Sequence, residues 1–181
     1  MNKFALAVMG AVLAANAMAA PSVSYSVSGV SGNYVLDFSV TNNMLGTDQD
    51  IYFFGVSLSN RDIVASPGAF DPNAWTTWNN AVYGGNGTTY NNNWLDITFS
   101  SLTPGNTLSG FQVHSTDVAA PTSVSYFMFG ATFTGTPYLG GDNFFSNTNP
   151  GFEGVAQAVP EPMTMAALGL GFAAVLRRRR K

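Results

Sequence analysis

Residues 22–28 read Ser-Val-Ser-Tyr-Ser-Val-Ser, and this strict alternation of hydroxyl and apolar side chains decides the fold class. Successive side chains of a β-strand point to opposite faces, so the pattern places the two valines and Tyr25 on one buried face. The glycine- and asparagine-containing stretch 29–33 ends this strand, and the alternation resumes over 34–38. The mature chain is therefore predicted to begin with two β-strands.

Four further strands are predicted by alternating or continuous apolar runs that are separated by polar turns. They cover 51–58, 94–99, 108–114 and 124–133, the last of them broken at Gly130. Shorter pieces at 62–65 and 143–145 are candidates for edge strands, and 42–50 is expected to be a polar turn. Because nothing between Ala20 and Ala158 has helical spacing, the sequence predicts an all-β domain. The expected form is a single antiparallel β-sandwich, jelly-roll or immunoglobulin-like, with a closed barrel as the alternative.

The first 19 residues have the three parts of a signal peptide. Lys3 gives a short positive start, residues 4–15 form an apolar run, and Ala17 and Ala19 supply the small residues of a cleavage site. This order predicts a signal helix, export, and removal by signal peptidase before Ala20. The passenger domain is then 20–158.

The other end, 159–181, combines prolines, an apolar run and a basic terminus. Pro160, Glu161 and Pro162 are followed by 163–176 without a charge. A helix of this length spans about 21 Å, short of the roughly 30 Å of hydrocarbon in a bilayer. A short membrane helix with its basic end in the cytoplasm is therefore predicted. That end is Arg177, Arg178, Arg179, Arg180 and Lys181.

This tail resembles the PEP-CTERM sorting signal, a segment also labelled ice-binding protein C-terminal domain. The resemblance implies recognition by exosortase, a membrane-embedded cysteine protease that processes such proteins near the Pro-Glu-Pro. It also implies a Gram-negative bacterium, a transient tether in the inner membrane, and then the cell surface or extracellular matrix. Exopolysaccharide and biofilm are the associations of the family. Since the resemblance covers only 159–181, it concerns the destination and not the activity of the passenger.

The passenger is strongly acidic, with nine carboxylates against Arg61 alone and a net charge of −8. This charge repels phosphate backbones, so no nucleic-acid partner is expected. The absence of cysteine excludes thiol catalysis and cysteine-ligated metals, and the sequence indicates no cofactor.

A stretch of about 28 residues, 66–93, shows no clear strand and holds the one candidate site. Long loops in compact domains are usually functional or disordered. The aromatic residues could stack on sugar rings while the amides of 91–93 bind hydroxyl groups. Alternatively, Trp75, Trp78 and Tyr83 fold inward as a small satellite core that holds the loop down. The candidates for carbohydrate contact are Trp75, Trp78, Tyr83, Tyr90 and Trp94.

Catalytic chemistry is poorly supported. Glu153 is the sole glutamate of the passenger and is expected near its flexible exit. His114, the sole histidine, is expected on a solvent-facing strand surface. Asp48 and Asp50 are expected in a solvated turn, where they could contribute to a calcium site or simply keep the surface soluble. We therefore expect no enzyme and no committed metal site.

The alternative label of the tail raises ice binding. An ice plane needs ranks of threonines on several neighbouring strands, and the sequence offers one rank, at Thr132, Thr134 and Thr136. The leading prediction is a structural or adhesive component of the surface matrix, and a carbohydrate-binding module is the alternative.

Overall fold

The structure is a computed structural model that describes residues 20–44, 49–67, 75–97, 102–132 and 152–159. Every regular element in these ranges is a strand, which confirms the all-β class. The strands are β1 Ser22–Val30, β2 Asn33–Thr41, β3 Gln49–Ser57, β4 Ile63–Ala65, β5 Trp75–Trp78, β6 Val82–Tyr83, β7 Thr89–Tyr90, β8 Asn92–Asp96, β9 Thr107–Ser115, β10 Ser123–Thr132 and β11 Phe152–Ala158.

Nine of these strands form one continuous sheet in the order β4-β9-β2-β1-β11-β10-β3-β8-β5, while β6 and β7 form a separate hairpin. The two ends of the sheet approach each other. The indole N–H of Trp94 in β8 donates to the carbonyl of Ala65 in β4 at 3.2 Å. Trp75 in β5 packs edge-on against Phe111 in β9 with ring centroids 4.9 Å apart. The sheet is therefore nearly closed around its core.

The main core lies inside this sheet. Alternation along β1 and β2 buries Tyr25, Leu36, Phe38 and Val40, as the sequence predicts. Phe38 meets Phe54 of β3 across the core, with ring centroids 5.9 Å apart. Burial of these rings removes the apolar surface from water, the dominant favourable contribution to folding.

A second apolar cluster lies on the outer face of the sheet over β3 and β10. It consists of Tyr52, Phe53, Tyr90, Phe127 and Phe129. Because both faces of β3 are covered, its sequence is apolar throughout rather than alternating. The register of β10 against β3 shifts between Phe129 and Gly130, which confirms the predicted break at that glycine.

Three sequence predictions about this domain are wrong. Strand β11 was not predicted, and it pairs with β1 in parallel, so the sheet is not purely antiparallel. The stretch 66–93 contains β5, β6, β7 and the start of β8. Residues 49–50 belong to β3, and Asp50 is buried rather than part of a solvated turn. Pairing with a distant strand determines the conformation of β11 and of residues 49–50, which short-range patterns do not report.

The predicted signal helix, the strand at 143–145, the threonines at 134 and 136 and the membrane helix at 163–176 all lie outside the described residues. Within the ranges given above, there is no helix of the length and hydrophobicity needed to cross a bilayer.

Candidate functional site

The five aromatic residues proposed for carbohydrate contact do not share one exposed platform. Trp75 and Trp94 are buried in the main core, and Tyr90 is buried in the second cluster. Trp78 is half-buried against that second cluster. Tyr83 is 77% exposed on the β6–β7 hairpin. The satellite core predicted for Trp75, Trp78 and Tyr83 therefore holds for Trp78 alone, because Trp75 lies in the main core and Tyr83 keeps an open ring face.

The amides of residues 91–93 serve the backbone. The Asn91 side chain accepts from the Leu58 N–H at 3.0 Å and donates to the Leu58 carbonyl at 2.7 Å. Asn92 donates to the carbonyl of Asn60 at 2.9 Å and accepts from the N–H of Asp62 at 3.0 Å. These side chains satisfy backbone groups where β3 ends and the chain turns toward β4. Asn91 and Asn92 thus anchor the 58–62 segment, while Asn93 donates to the carbonyls of Asn80 and Tyr90.

Glu153 holds the β6–β7 hairpin against β11. Its carboxylate accepts from the backbone N–H of Asn86 at 3.2 Å and from the Tyr90 hydroxyl at 3.4 Å. A Cβ at Gly84 would overlap the same carboxylate, so the hairpin backbone approaches β11 closely. Burial, together with the neighbouring negative charge of Glu153, raises the pKa of Tyr90. The prediction that Glu153 lies in a flexible exit is wrong.

Arg61, the one cation of the passenger, lies beside the end of β5. Its guanidinium donates to the Asn79 side-chain oxygen at 2.5 Å and to the Trp78 carbonyl at 3.4 Å. Both Arg61 and Asn79 are exposed. This places a charged group, an amide and the partly exposed Trp78 together on the surface.

His114 joins three parts of the chain. Its Nδ1 lies 2.8 Å from the Asp62 carboxylate, and its Nε2 lies 2.5 Å from the side-chain oxygen of Asn33. Phe111 and Val113 face the core as predicted, while His114 is partly buried rather than open to solvent. With both ring nitrogens engaged, the imidazole connects β9 to β2 and to the segment before β4.

The carboxylate of Asp117 is hydrogen-bonded to two serine hydroxyls. It accepts from the hydroxyls of Ser59 at 2.6 Å and Ser115 at 2.7 Å. These hydrogen bonds stabilise the ionised form and lower the pKa of Asp117. In the described ranges no three of the acidic and histidine side chains are placed to hold a metal ion, and Asp48 lies outside them.

The passenger leaves the sheet directly from β11. Gln157 pairs with Ser24, and Ala158 pairs with Tyr25. The N–H of Val159 then donates to the Tyr25 carbonyl at 2.8 Å, and Pro160 follows at once in the sequence. Proline cannot donate to a ladder, so the sequence itself stops strand pairing at this point. The predicted exit residues of the sorting signal therefore begin where the sheet ends.

This last strand is hard to recognise in the sequence because its alternation of apolar and polar residues is weak. Buried or half-buried Phe152, Gly154 and Ala156 alternate with Glu153 and Val155 on the outer face, but glycine and alanine give little apolar contrast. The signal for this strand is the alternation between core-facing and outward-facing residues over 152–158, shortly before Pro160 and Pro162.

Solved structures resemble this chain only distantly. The fimbrial adhesin FimA of Actinomyces matches with a TM-score of 0.41 and 15% identity over 75% of this chain and 55% of that one, so the chain spans about half the length of that adhesin. A chain of a CaDoc–CaCohA2 complex matches with a TM-score of 0.35 and 9% identity, covering 76% of this chain and 100% of that one. No curated protein matches in sequence.

The family comparison identifies the C-terminal segment. Residues 158–181 match the PEP-CTERM protein-sorting motif. The match begins at Ala158, which is still paired with Tyr25 in the sheet. The chain therefore carries a PEP-CTERM protein-sorting motif, which implies export, membrane-associated processing by exosortase and a destination outside the cell membrane.

Proposed function

We propose that this protein is a non-enzymatic structural or adhesive component of the surface matrix of a Gram-negative bacterium. Signal peptidase cuts before Ala20, the tail holds the passenger in the inner membrane, and exosortase then releases it to the surface or matrix. The observation that carries the proposal is the sorting motif at 158–181, attached directly to an all-β domain. We take the two halves of the sheet that face each other across the core as the layers of the predicted sandwich.

Mass spectrometry of the mature protein tests this pathway. In a host with exosortase, we expect a new N-terminus at Ala20 and loss of the basic tail through Lys181. Replacing Glu161 with alanine should leave the tail in place, whereas replacing Glu153 with alanine should not, because Glu153 lies outside the motif. A mature protein that keeps its tail in the presence of exosortase contradicts the proposal.

An adhesive role predicts retention by the matrix. Cells that export the protein should hold the processed passenger in their exopolysaccharide fraction, and a strain without exopolysaccharide should release it into the medium. Equal partition in the two strains would contradict a matrix role while leaving the sorting pathway untouched.

Carbohydrate binding is the second candidate. Its support is the open ring of Tyr83, together with Trp78, Arg61 and Asn79 on the surface beside β5. Because Trp75 and Trp94 are buried, a change in tryptophan fluorescence on addition of native exopolysaccharide should come from Trp78. A titration with no change would remove this candidate. A change that persists in Trp78→Phe would place binding elsewhere.

A further inference from the structure

One end of the sheet collects the turn between β1 and β2, the segment 116–122, Arg61 and the departing Val159; we name this set the exit end. Its parts are joined directly. The Ser31 hydroxyl donates to the Val118 carbonyl at 2.7 Å, and the Gly32 N–H donates to the Asp117 carbonyl at 2.9 Å. At the other limit of the same segment, Ala158 donates to Thr122 at 3.2 Å. The 116–122 segment thus runs from the turn to the point where the chain leaves.

The exit end exposes apolar side chains. Val118 is 83% exposed, Val30 is 67% exposed and Val159 is 49% exposed. Ala119 and Ala120 beside Val118 are exposed as well. Apolar groups that gather on one end of a domain, rather than scatter singly over it, indicate a partner surface.

The exit end carries less excess negative charge than the net charge of the passenger suggests. Asp117 directs its carboxylate to two serine hydroxyls, and Asp62 is bound to His114 at 2.8 Å. Arg61, exposed on this same end, is the sole cation between Ala20 and Ala158. The described residues of the exit end thus carry one positive charge against two carboxylates, a smaller excess of negative charge than the −8 of the whole passenger.

The length of the tether fixes which end of the domain faces the membrane. From Val159 to the start of the apolar run at Met163 there are four residue steps, which span at most about 14 Å. Beyond Tyr25, where Val159 is bound, β1 continues for five residues to Val30, about 16 Å in the same direction. When the apolar run enters the hydrocarbon, the β1–β2 turn is thus brought to the headgroup layer, which is about 5–7 Å thick.

We propose that the exit end seats on the lipid surface while the tail is in the membrane, with Val30 and Val118 in the headgroup layer. The inference rests on the proposed membrane tether and adds an orientation to it. The seated domain would present its opposite end, including Ile97, to the space outside.

Depth-dependent fluorescence quenching tests this orientation. The chain has no cysteine, so Val30→Cys and Val118→Cys each accept a single environment-sensitive dye, and Ile97→Cys at the opposite end is the matched control. The tail-bearing protein is purified from membranes and reconstituted in vesicles of phosphatidylethanolamine and phosphatidylglycerol that contain headgroup-labelled nitroxide lipid. We expect quenching at Val30 and Val118 at least about three-fold stronger than at Ile97.

The possible outcomes distinguish a failure of the proposed orientation from a failure of the proposed membrane tether. If the protein does not float with the vesicles, the membrane tether fails and the orientation fails with it. If it floats and all three positions are quenched equally, the orientation alone is overturned. Because these vesicles contain no protease, stronger quenching at Val30 and Val118 assigns the contact to lipid rather than to exosortase. Far-ultraviolet circular dichroism of each variant confirms that the β-sheet is retained.

Discussion

Tyr25 combines three roles in one residue. Its ring packs on Phe38 with centroids 5.0 Å apart, and its hydroxyl donates to the Pro121 carbonyl at 2.8 Å. Its backbone carbonyl accepts from Val159. It thus joins the core, the segment that precedes β10 and the exit of the chain.

Burial raises the pKa of Tyr25 from 10.0 to about 12. Between these values the folded state binds more protons than the unfolded state, so the free energy of unfolding falls as pH rises. Tyr25→Phe should be less stable by about 1 kcal/mol near neutrality, because the hydrogen bond to Pro121 is lost. Urea unfolding of both proteins at a series of pH values should show the difference shrinking above pH 10; a constant difference would contradict the assignment.

The contribution of a single buried side chain to stability can also be tested at Asn92. It is fully buried and satisfies backbone groups of Asn60 and Asp62. Asn92→Ala leaves those groups unpaired and should lower the free energy of unfolding by about 2–3 kcal/mol. Asn106→Ala, at an exposed asparagine, should cost less than about 1 kcal/mol. Equal costs, measured by chemical denaturation, would show that the buried amide has no special role.

The contact between Glu153 and the β6–β7 hairpin is an interaction between two secondary-structure elements. Glu153→Ala removes the acceptor for the Asn86 N–H, so amide exchange at Asn86 should speed up about ten-fold. The control is Gln157→Ala, on the same outer face of β11 but without a contact to the hairpin. Unchanged exchange in Glu153→Ala would mean that the second cluster alone holds the hairpin.

The central position of β11 is tested by proline. Val155 is 58% exposed, so its side chain contributes little to the core, while its backbone lies between β1 and β10. Val155→Pro should lower the free energy of unfolding by about 3 kcal/mol or more, and Val155→Thr should change it by less than about 0.5 kcal/mol. Thermal unfolding of both variants measures the contrast. A stable proline variant would place β11 outside the sheet.

Most of the long strands could be predicted because their patterns are local. The alternation at 22–28 and 34–38 and the apolar run at 51–58 state which face is buried without reference to other elements. Strand β11 is fixed by distant partners, and β6 and β7 are two-residue strands of a local hairpin, so their own residues carry weak signals. The aromatic residues near Trp75 indicated an aromatic cluster. The sequence could not indicate which rings face the core, because an aromatic residue can be buried or exposed at such a position.

For the whole molecule, removal of the sorting motif should leave the fold intact. A chain ended after Val159 keeps every pairing of β11 with β1 and β10, so its unfolding should be cooperative, with a midpoint like that of the tail-bearing passenger. A chain ended before Phe152 lacks the strand that joins the two halves of the sheet and should not unfold cooperatively. Calorimetry of the two truncated chains distinguishes them; cooperative unfolding of the shorter one would contradict the topology.

The parallel pairing of the last strand with the first has a consequence for the order of events in the cell. A chain that crosses the membrane with its N-terminus leading delivers β1 well before β11, so one backbone edge of β1 stays unpaired until the final segment emerges. Completion of the sheet therefore coincides with the arrival of the sorting motif, which begins at Ala158 while that residue is still paired with Tyr25. A copy that ends before Phe152 would keep open edges on β1 and β10, and open edges are prone to pair with other chains.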